Sequence, residues 1–238
     1  MDSQSRGKRG RHGRDRDREN QDVRLSKSLS YVLRHGAHKM GLNMSSDGFL
    51  SVDDLLAHPQ FRCFTPEDVE RVVVTNNKQR FKLGTHPDTG RMQIRANQGH
   101  SVPVADLELR AILPDAPDTP KEAVHGSYLK YWTSIRSQGL SRMSREHIHL
   151  APGLPGDNGV ISGMRQNCDL AIYIDVCKAI SDGILFFWSE NGVILTPGDS
   201  GGNLAPCYFT HAVQLKPTRE LIYVALEIIT VKMFKLYV

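Results

Sequence analysis

The chain has 238 residues, of which 39% are apolar and 24% charged, with a formal net charge of +4. This composition is ordinary for a soluble globular protein and leaves room for one or two domains. The four cysteines show neither C-x-x-C spacing nor a histidine cluster at zinc-finger intervals, so the sequence predicts no disulfide framework and no metal site. We therefore expect an intracellular protein of the nucleus, the cytoplasm or both.

Residues 1–21 are highly charged and lack the apolar segment of a secretory signal. The first twenty residues contain seven Lys/Arg and four Asp/Glu. The sequence predicts a disordered basic arm here. Such an arm is either a solvated tail without a function of its own or a segment that attracts RNA by its charge, and the sequence leaves both open.

Residues 22–112 begin with two helix signals. Apolar residues at helical spacing predict a helix over 23–35 that ends at Gly36. Its apolar face consists of Leu25, Leu29, Val32 and Leu33. Ser51 is a suitable N-cap for a short helix through Leu56.

The same region continues with a third helix signal and a hairpin signal. Thr65 as N-cap and Pro66 at the first helical position predict a helix over 66–76. The alternating segments RFKLG and RMQIRAN, joined by THPDTG, predict a β-hairpin from about residue 80 to 96. Helices followed by a hairpin indicate a winged-helix-like lobe over residues 22–112.

Residues 113–123, rich in Pro and Asp, predict a linker to a second lobe over 124–219. Strand signals in EAVHGS, HIHL and DLAIYIDV accompany a helix signal in YLKYWTSIRSQG that ends at Gly139. The segment ILFFWSENGVILTP predicts a further hairpin. The predicted fold class is therefore α+β.

Residues 220–238 form an atypical apolar tail. Glu227, Lys232 and Lys235 interrupt it, so it is a poor transmembrane span and we predict no membrane partner. The tail is either a final strand or helix on the core, or a segment that packs badly and favours aggregation.

Arginine and histidine side chains recur at the ends of elements in the first lobe. Arg34 and His35 end the first helix, Arg80 precedes the hairpin, and Arg95 lies in the polar segment IRANQGHS. Each alone also fits a surface salt bridge or a packing histidine. Because the planar guanidinium matches two phosphate oxygens, the cluster indicates a surface that contacts a polyanion.

A series of motifs runs in order from about Asp22 to Val213: LSKSLSYVLRH, DGFLSVDDLL, NNKQRF, QGHS, HGS, MSREHIHL, GVISGMR and NGVILT. The series resembles the NAD-dependent RNA 2′-phosphotransferases of eukaryotic tRNA splicing. That resemblance implies an N-terminal winged-helix RNA lobe followed by a C-terminal ADP-ribosyltransferase-like lobe that binds NAD.

The resemblance also implies a two-step reaction, the final step of tRNA splicing. An internal RNA 2′-phosphate attacks the nicotinamide-bearing ribose carbon of NAD, which releases nicotinamide and leaves an ADP-ribosylated 2′-phosphate. A ribose hydroxyl then attacks the phosphorus. The tRNA leaves with a 2′-OH, and ADP-ribose 1″,2″-cyclic phosphate is the second product. NAD is consumed as a co-substrate, and we expect a monomer.

Catalytic roles carry over to four residues of matching motifs: Arg34, His35, Arg80 and Arg145. Guanidinium donors aimed at a phosphate stabilise the charge that develops in both steps. The imidazole of His35 either holds the phosphate or moves a proton, and Arg145 is expected to act in the second step. The expected RNA contacts are Lys78, Arg95 and His100.

The resemblance assigns NAD contacts in the second lobe. His125 and Gly126 match a His-Gly strand in which His bonds NAD and Gly permits a close approach. Ser127 stands where the family usually has Thr, and a hydroxyl is kept. His149 is preferred over His147 as another contact. The adenosine side is expected to meet Gly159, Ser162 and Arg165.

Other functional classes are weighed against this assignment. No G-x-G-x-x-G follows a predicted strand, which argues against a Rossmann dehydrogenase, and GDSGG at 198–202 is predicted to be a loop. A nucleic-acid-binding module without turnover remains one alternative. An ADP-ribosyltransferase that modifies terminal phosphates of RNA or DNA is another, since it needs the same NAD site.

Overall fold

The computed structural model describes residues 7–114 and 116–225. The chain folds into two compact units. The first unit contains the described residues up to His100 together with Val104–Leu107, and the second contains Ser101–Pro103 and the described residues from Glu108 onward. Helices and antiparallel sheets occur in the chain, as expected for the α+β class.

The first unit contains helices and a three-stranded sheet of order β1-β3-β2. Its helices are α1 (Gly7–Tyr31), a π-helical segment (Val32–Gly36), a 3₁₀ turn (His38–Met40), α2 (Val52–Ala57) and α3 (Pro66–Val74). Its strands are β1 (Leu50–Ser51), β2 (Phe81–Thr85) and β3 (Met92–Ala96).

Helix α1 buries the apolar face that the sequence predicts. Leu25, Leu29, Val32 and Leu33 are all fully buried. The structure differs upstream, because residues 7–21 of the predicted disordered arm are helical. Arg, Lys, Glu and Gln are good helix formers, and proline is absent from this part of the sequence, so the helix extends beyond its buried face. Residues 1–6 of the arm lie outside the described part.

Two predicted N-caps are confirmed. The Ser51 side chain accepts a hydrogen bond from the backbone N–H of Asp54 at the start of α2. At α3, Thr65 and Asp68 form a capping box in which each side chain accepts from the other residue's N–H. Arg71 of the same helix donates to Asp22 of α1, with Nη2 2.6 Å from Oδ1, and so ties the two helices together.

The β2–β3 hairpin confirms the predicted one and has an apolar and a polar face. Phe81 pairs with Ala96 and Thr85 with Met92. Alternation directs the Phe81, Leu83, Ile94 and Ala96 side of the hairpin into the apolar core of the first unit. The intervening positions, including Lys82, Gln93 and Arg95, lie on the opposite face.

The second unit contains sheets of order β4-β9-β10-β7, β11-β6 and β13-β12-β8-β5. The strands up to β8 are β4 (Arg110–Ala111), β5 (Glu122–Ser127), β6 (Leu140–Ser141), β7 (Ile148–Leu150) and β8 (Leu170–Asp175). Those that follow are β9 (Phe187–Trp188), β10 (Ile194–Thr196), β11 (Asn203–Leu204), β12 (Phe209–Gln214) and β13 (Glu220–Val224). The helices are a 3₁₀ turn (Leu129–Tyr131), α4 (Trp132–Gln138), α5 (Val176–Ser181) and a 3₁₀ turn (Pro206–Tyr208).

Most local predictions for this unit are confirmed. Strands β5, β7 and β8 coincide with the predicted ones, β9 and β10 form the predicted hairpin, and 198–202 is a loop. Gly139 ends α4 with a φ of +90°. The backbones of Val124 and Ala151 exchange two hydrogen bonds of 2.8 Å, which join β5 to the segment after β7.

The lobe boundary differs from the sequence-based expectation, whereas the start of the tail is a strand, one of the two outcomes expected for it. Strand β4 pairs with β9, so residues 108–112 belong to the second unit rather than to the first lobe. The first residues of the predicted tail form β13, which pairs with β12. Residues 226–238 of that tail lie outside the described part. Within residues 7–114 and 116–225, no helix is both long and apolar enough to cross a membrane.

The capping box at α3 predicts a specific stability effect. Thr65→Ala removes the acceptor for the Asp68 N–H and should lower the free energy of unfolding by about 1 kcal/mol. Urea denaturation followed by far-UV circular dichroism measures this change. Thr65→Ser keeps the hydroxyl and is the matched control, so equal losses in both variants would contradict the capping role.

Candidate active site

The π-helical segment Val32–Gly36 presents two predicted catalytic residues. Val32 and Leu33 are buried in the core, whereas Arg34 and His35 are only half-buried. A Cβ atom on Gly36 would lie 2.6 Å from the ring of Tyr31, so glycine allows this ring to close over the segment. Short π-helical turns are rare and occur often at functional sites.

Arg34 lies against Gly99. A Cβ atom at Gly99 would be 3.4–3.5 Å from Nε, Cδ and Cζ of Arg34, which is close packing for a guanidinium. Gly99 also has a φ of +91°, a conformation that other residues rarely adopt. The segment after β3 therefore supports the side chain of Arg34.

Arg80 is held by a network of asparagines at the start of β2. Asn76 Oδ1 accepts from the Arg80 backbone N–H at 3.2 Å and from its Nη1 at 3.4 Å. Asn97 donates its backbone N–H to the Arg80 carbonyl at 2.9 Å and its Nδ2 to the Gln79 carbonyl at 2.7 Å. Since Asn97 is two residues from Gly99, the structure brings Arg34 and Arg80 to the same segment.

Burial lowers the pKa of Arg80 below its ordinary value. The guanidinium nevertheless stays charged at physiological pH, because the ordinary value is so high. A partly desolvated cation of this kind favours the approach of an anion, and perturbed groups of this type are common at functional sites.

The predicted RNA contacts are placed differently from one another. Lys78 is half-buried in the turn before Arg80. Arg95 and His100 are each only 2% exposed, so the expectation that the segment forms an open phosphate-contacting surface is wrong for these two residues. Arg95 lies on the polar face of β3, where its Cζ is 4.9 Å from the centroid of the Phe49 ring. Stacking on an aromatic ring accounts for the burial of a guanidinium there.

In the second unit, a hydrogen bond links His125 of β5 to β7. His125 Nδ1 lies 3.0 Å from the carbonyl oxygen of His149. A carbonyl can only accept, so Nδ1 carries the proton, and Nε2 of the neutral ring is an acceptor. Burial lowers the pKa of His125, outweighing the opposite effect of this bond, and the ring is neutral at physiological pH.

The residues after His125 lie on alternating faces of β5. Ser127 is buried and shares the face of His125. Gly126 faces the other way, where a Cβ atom would lie 2.3 Å from Cγ of Met164. The close approach that glycine permits at this position is thus made by a methionine of this chain.

Arg145 lies in a turn with two further arginines nearby. Burial lowers its pKa, and repulsion from the charge of Arg165 lowers it further. Arg142 Nη1 donates to the Arg145 carbonyl at 2.6 Å, and the Arg142 N–H donates to the Gly202 carbonyl at 3.0 Å. The GDSGG loop therefore supports the turn that carries Arg145.

The remaining predicted NAD contacts lie in or beside the second unit's loops. Gly159 has a φ of +81° with open space where a Cβ atom would be, and Ser162 is half-buried in the same loop. His147 packs against Phe187 with ring centroids 6.2 Å apart. Burial and nearby Arg142 lower the pKa of His147.

Sequence reasoning missed the residues that hold the predicted ones. These are Asn76, Asn97, Gly99 and Arg142. Asn76 and Asn97 lie in the motifs NNKQRF and IRANQGHS. The available signal was an asparagine within a few residues of an arginine in each motif. Local spacing carries no sign of the contact between Arg142 and Gly202, which are sixty residues apart.

Partly desolvated arginines such as Arg80 and Arg145 are typical of proteins that bind phosphate groups. A family model described as "RNA 2′-phosphotransferase, Tpt1 / KptA family" matches residues 20–198. The chain belongs to this family of transferases.

Relatives with similar sequences carry related names. A protein named tRNA 2′-phosphotransferase 1 from Danio rerio is 72% identical over 218 residues, which is 91% of this chain and 96% of the relative. A protein of the same name from Homo sapiens is 56% identical, with 91% of this chain and 84% of the relative covered. The tRNA 2′-phosphotransferase of Saccharomyces cerevisiae is 39% identical over 75% of this chain and 80% of its own length.

The half-buried, neutral ring of His125 predicts a pH effect on stability. Above about pH 6.5 neither the folded nor the unfolded chain protonates this residue. As the pH falls below that value, the unfolded chain takes up a proton that folded His125 resists, so stability is lost until the lower folded pKa is reached. Both tryptophans, Trp132 and Trp188, lie in the second unit, so thermal unfolding followed by their fluorescence at pH 7.5 and 5.5 measures the drop.

His125→Gln should show a smaller drop in unfolding temperature between the two pH values than the unmodified protein. His147→Gln measures the share of the other imidazole whose pKa burial lowers. An identical drop with and without His125 would contradict the assignment.

Proposed function

We propose that this chain transfers the internal 2′-phosphate of spliced tRNA to NAD, the final step of tRNA splicing. The products are tRNA with a 2′-OH, nicotinamide and ADP-ribose 1″,2″-cyclic phosphate. The observation that carries the proposal is the match to a tRNA 2′-phosphotransferase 1 at 72% identity over nearly the full length of both chains. The arginine arrangement supports it, since a phosphate takes part in both steps.

The proposal includes a role for each unit. We assign the first unit to RNA as a winged-helix-like lobe, which its helices followed by the β2–β3 hairpin support. We assign the second unit to NAD as an ADP-ribosyltransferase-like lobe. The antiparallel sheets of that unit and the acceptor nitrogen of His125 are compatible with this assignment.

In the first step, Arg34, His35 and Arg80 hold the RNA 2′-phosphate. One phosphate oxygen attacks the ribose carbon, the bond from that carbon to nicotinamide breaks, and nicotinamide leaves with the electron pair. The two guanidiniums keep the phosphate oriented and desolvated before the attack, which is electrostatic preorganisation. The supports of Arg80 at Asn76 and Asn97 fix its position without charge neutralisation.

NAD supplies the ribose carbon and, afterwards, the hydroxyl that attacks phosphorus. Nε2 of His125 is suited to accept a ribose hydroxyl, because Nδ1 already donates to the His149 carbonyl. Ser127, on the same face of β5, is placed to hydrogen-bond beside it. We assign His149 to the wall of this site, and Gly159, Ser162 and Arg165 to the adenosine side. The NAD contact expected for Gly126 has no place on this face, because Gly126 points to the opposite face of β5, against Met164.

In the second step, a ribose hydroxyl forms a bond to phosphorus, and the bond from phosphorus to the RNA 2′-oxygen breaks. The RNA oxygen leaves with the electron pair and takes a proton, for which His35 is the candidate donor. We assign Arg145 to this step, where its guanidinium stabilises the charge on the phosphate.

The experiment that tests the proposal uses an oligoribonucleotide with one internal 2′-phosphate, incubated with the purified chain with and without NAD. Loss of the phosphate only with NAD, together with nicotinamide and ADP-ribose cyclic phosphate, supports the reaction. RNA that binds without turnover would sink the enzyme assignment, and nicotinamide release with a permanently ADP-ribosylated RNA would favour an ADP-ribosyltransferase.

Arg80 variants test the first step. Arg80→Ala should lower phosphate removal at least about a hundredfold, since one preorganised donor contributes about this much. Arg80→Lys keeps the charge but loses the fork, so it should recover only a small part of the rate. Circular dichroism checks that each variant is folded, and Lys39→Ala, which removes an exposed cation of the same unit, is the control. Full activity of folded Arg80→Ala would contradict the role.

Arg145→Ala tests the division of labour between the two steps. If Arg145 acts in the second step, this variant should release nicotinamide and accumulate ADP-ribosylated RNA. A denaturing gel separates that species from substrate and product. If the variant forms neither nicotinamide nor the final RNA product, Arg145 instead acts in the first step. Arg136→Ala, which removes an exposed arginine of the same unit, is the control.

A further inference from the structure

A groove of about 360 Å³ lies in the first unit, at the turn end of the β2–β3 hairpin. Arg34 and Arg80 are not among its lining residues. The groove is lined by the 43–51 segment, by Asp54 of α2 and by residues 86–93 of the hairpin turn and β3. None of the roles assigned above uses these residues.

The rim of the groove offers hydrogen-bonding groups that the protein does not use. Among residues 7–114 and 116–225, the side chains of Asn43, Asp54, Arg91 and Gln93 have no hydrogen-bond or ion-pair partner. His86 is a further polar group at the groove. Its Nδ1 accepts from the Asp88 N–H at 3.2 Å, so that Nε2 carries the proton of the neutral ring. Amide, carboxylate, guanidinium and imidazole groups provide both donors and acceptors around one opening.

The interior of the groove is apolar. Met44, Phe49 and Met92 form the apolar part of its lining. The guanidinium of Arg95 stacks on the Phe49 ring. Thioether and aromatic surfaces below a ring of donors and acceptors suit a flat heterocycle, which stacks on the floor and hydrogen-bonds at its edge.

The hairpin connects this groove to the predicted phosphate site. Residues 79–97 contain four Lys/Arg and one Asp, and all of these cations except buried Arg95 are at least partly exposed, so the hairpin surface is basic. Lys82, Gln93 and Arg95 share the face that points away from the core. At about 3.4 Å per residue, the strand from Arg80 to Thr85 spans about 17 Å. That distance corresponds to about five stacked nucleotides, or fewer in an extended strand.

We propose that the groove binds an unpaired base of the substrate RNA, at most about five nucleotides from the nucleotide that carries the 2′-phosphate. Arg80, Lys82 and Arg91, the hairpin cations that are at least partly exposed, hold the phosphates between the two points. The identity of this RNA rests on the proposed function, whereas binding of a single-stranded base does not. The groove accounts for affinity and leaves the chemical step unchanged.

The test is RNA binding by the full chain, measured by fluorescence anisotropy without NAD. The probes are a labelled dinucleotide and a labelled twelve-nucleotide single strand, each with a 2′-phosphate. The unmodified protein should bind the longer RNA more tightly. Arg91→Gln/Gln93→Ala, and separately Asn43→Ala on the opposite wall, should raise Kd for the longer RNA by about tenfold and leave the dinucleotide unchanged. Gln60→Ala/Arg62→Gln, exposed and outside the groove, is the matched control.

A walk of single abasic sites along the longer RNA distinguishes a base site from a phosphate track. The proposal predicts one sensitive position within about five nucleotides of the 2′-phosphate, and loss of that sensitivity in the groove variants. Affinity that does not depend on length, or equal effects at every abasic position, overturns the base site. These readings need no turnover, so a chain that binds in this way but does not remove the phosphate would contradict the proposed function alone.

Discussion

The hydrogen bonds between Asn97 and the Gln79–Arg80 turn are the interaction on which the first unit's candidate site depends. They close the open end of the β2–β3 hairpin, where the chain enters β2 and leaves β3. Gly99, two residues further, lies under Arg34. Residues 97–99 therefore position two arginines: Arg34 of the π-helical segment and Arg80 of the turn before β2. A change in the register of the hairpin would therefore change the distance between the guanidinium groups of Arg34 and Arg80.

Partial burial of an arginine costs hydration free energy, and a bound anion offsets this cost. Asn76 holds Arg80 through a neutral amide, and near Arg145 the neighbouring charge is another cation, Arg165. A carboxylate at either place would neutralise the positive charge that attracts a phosphate. The amide support at Arg80 and the like-charged neighbour of Arg145 do not neutralise these groups, which favours the phosphate of the proposed reaction.

Local patterns in the sequence were sufficient for the elements whose signals are local. Thr65 and Pro66 predict the start of α3, and alternation predicts the β2–β3 hairpin, because capping and pleating act over a few residues. The site residues came from resemblance to a family, since spacing alone left Arg34 and His35 indistinguishable from surface residues. Exposure could not be predicted in the same way: buried Arg95 stacks on Phe49, which lies far from it in the sequence, just before β1.

The hydrogen bond from His125 to the His149 carbonyl has a second consequence. Strand β5 belongs to one four-stranded sheet of the second unit and β7 to the other. The bond that selects the tautomer of His125 therefore also fastens the two sheets to each other, beside the backbone pair of Val124 and Ala151. In the proposed function, NAD binding at Nε2 and the contact between the two sheets both depend on the proton at Nδ1. A loss of activity in a His125 variant therefore reports on NAD binding only at temperatures where the variant is folded.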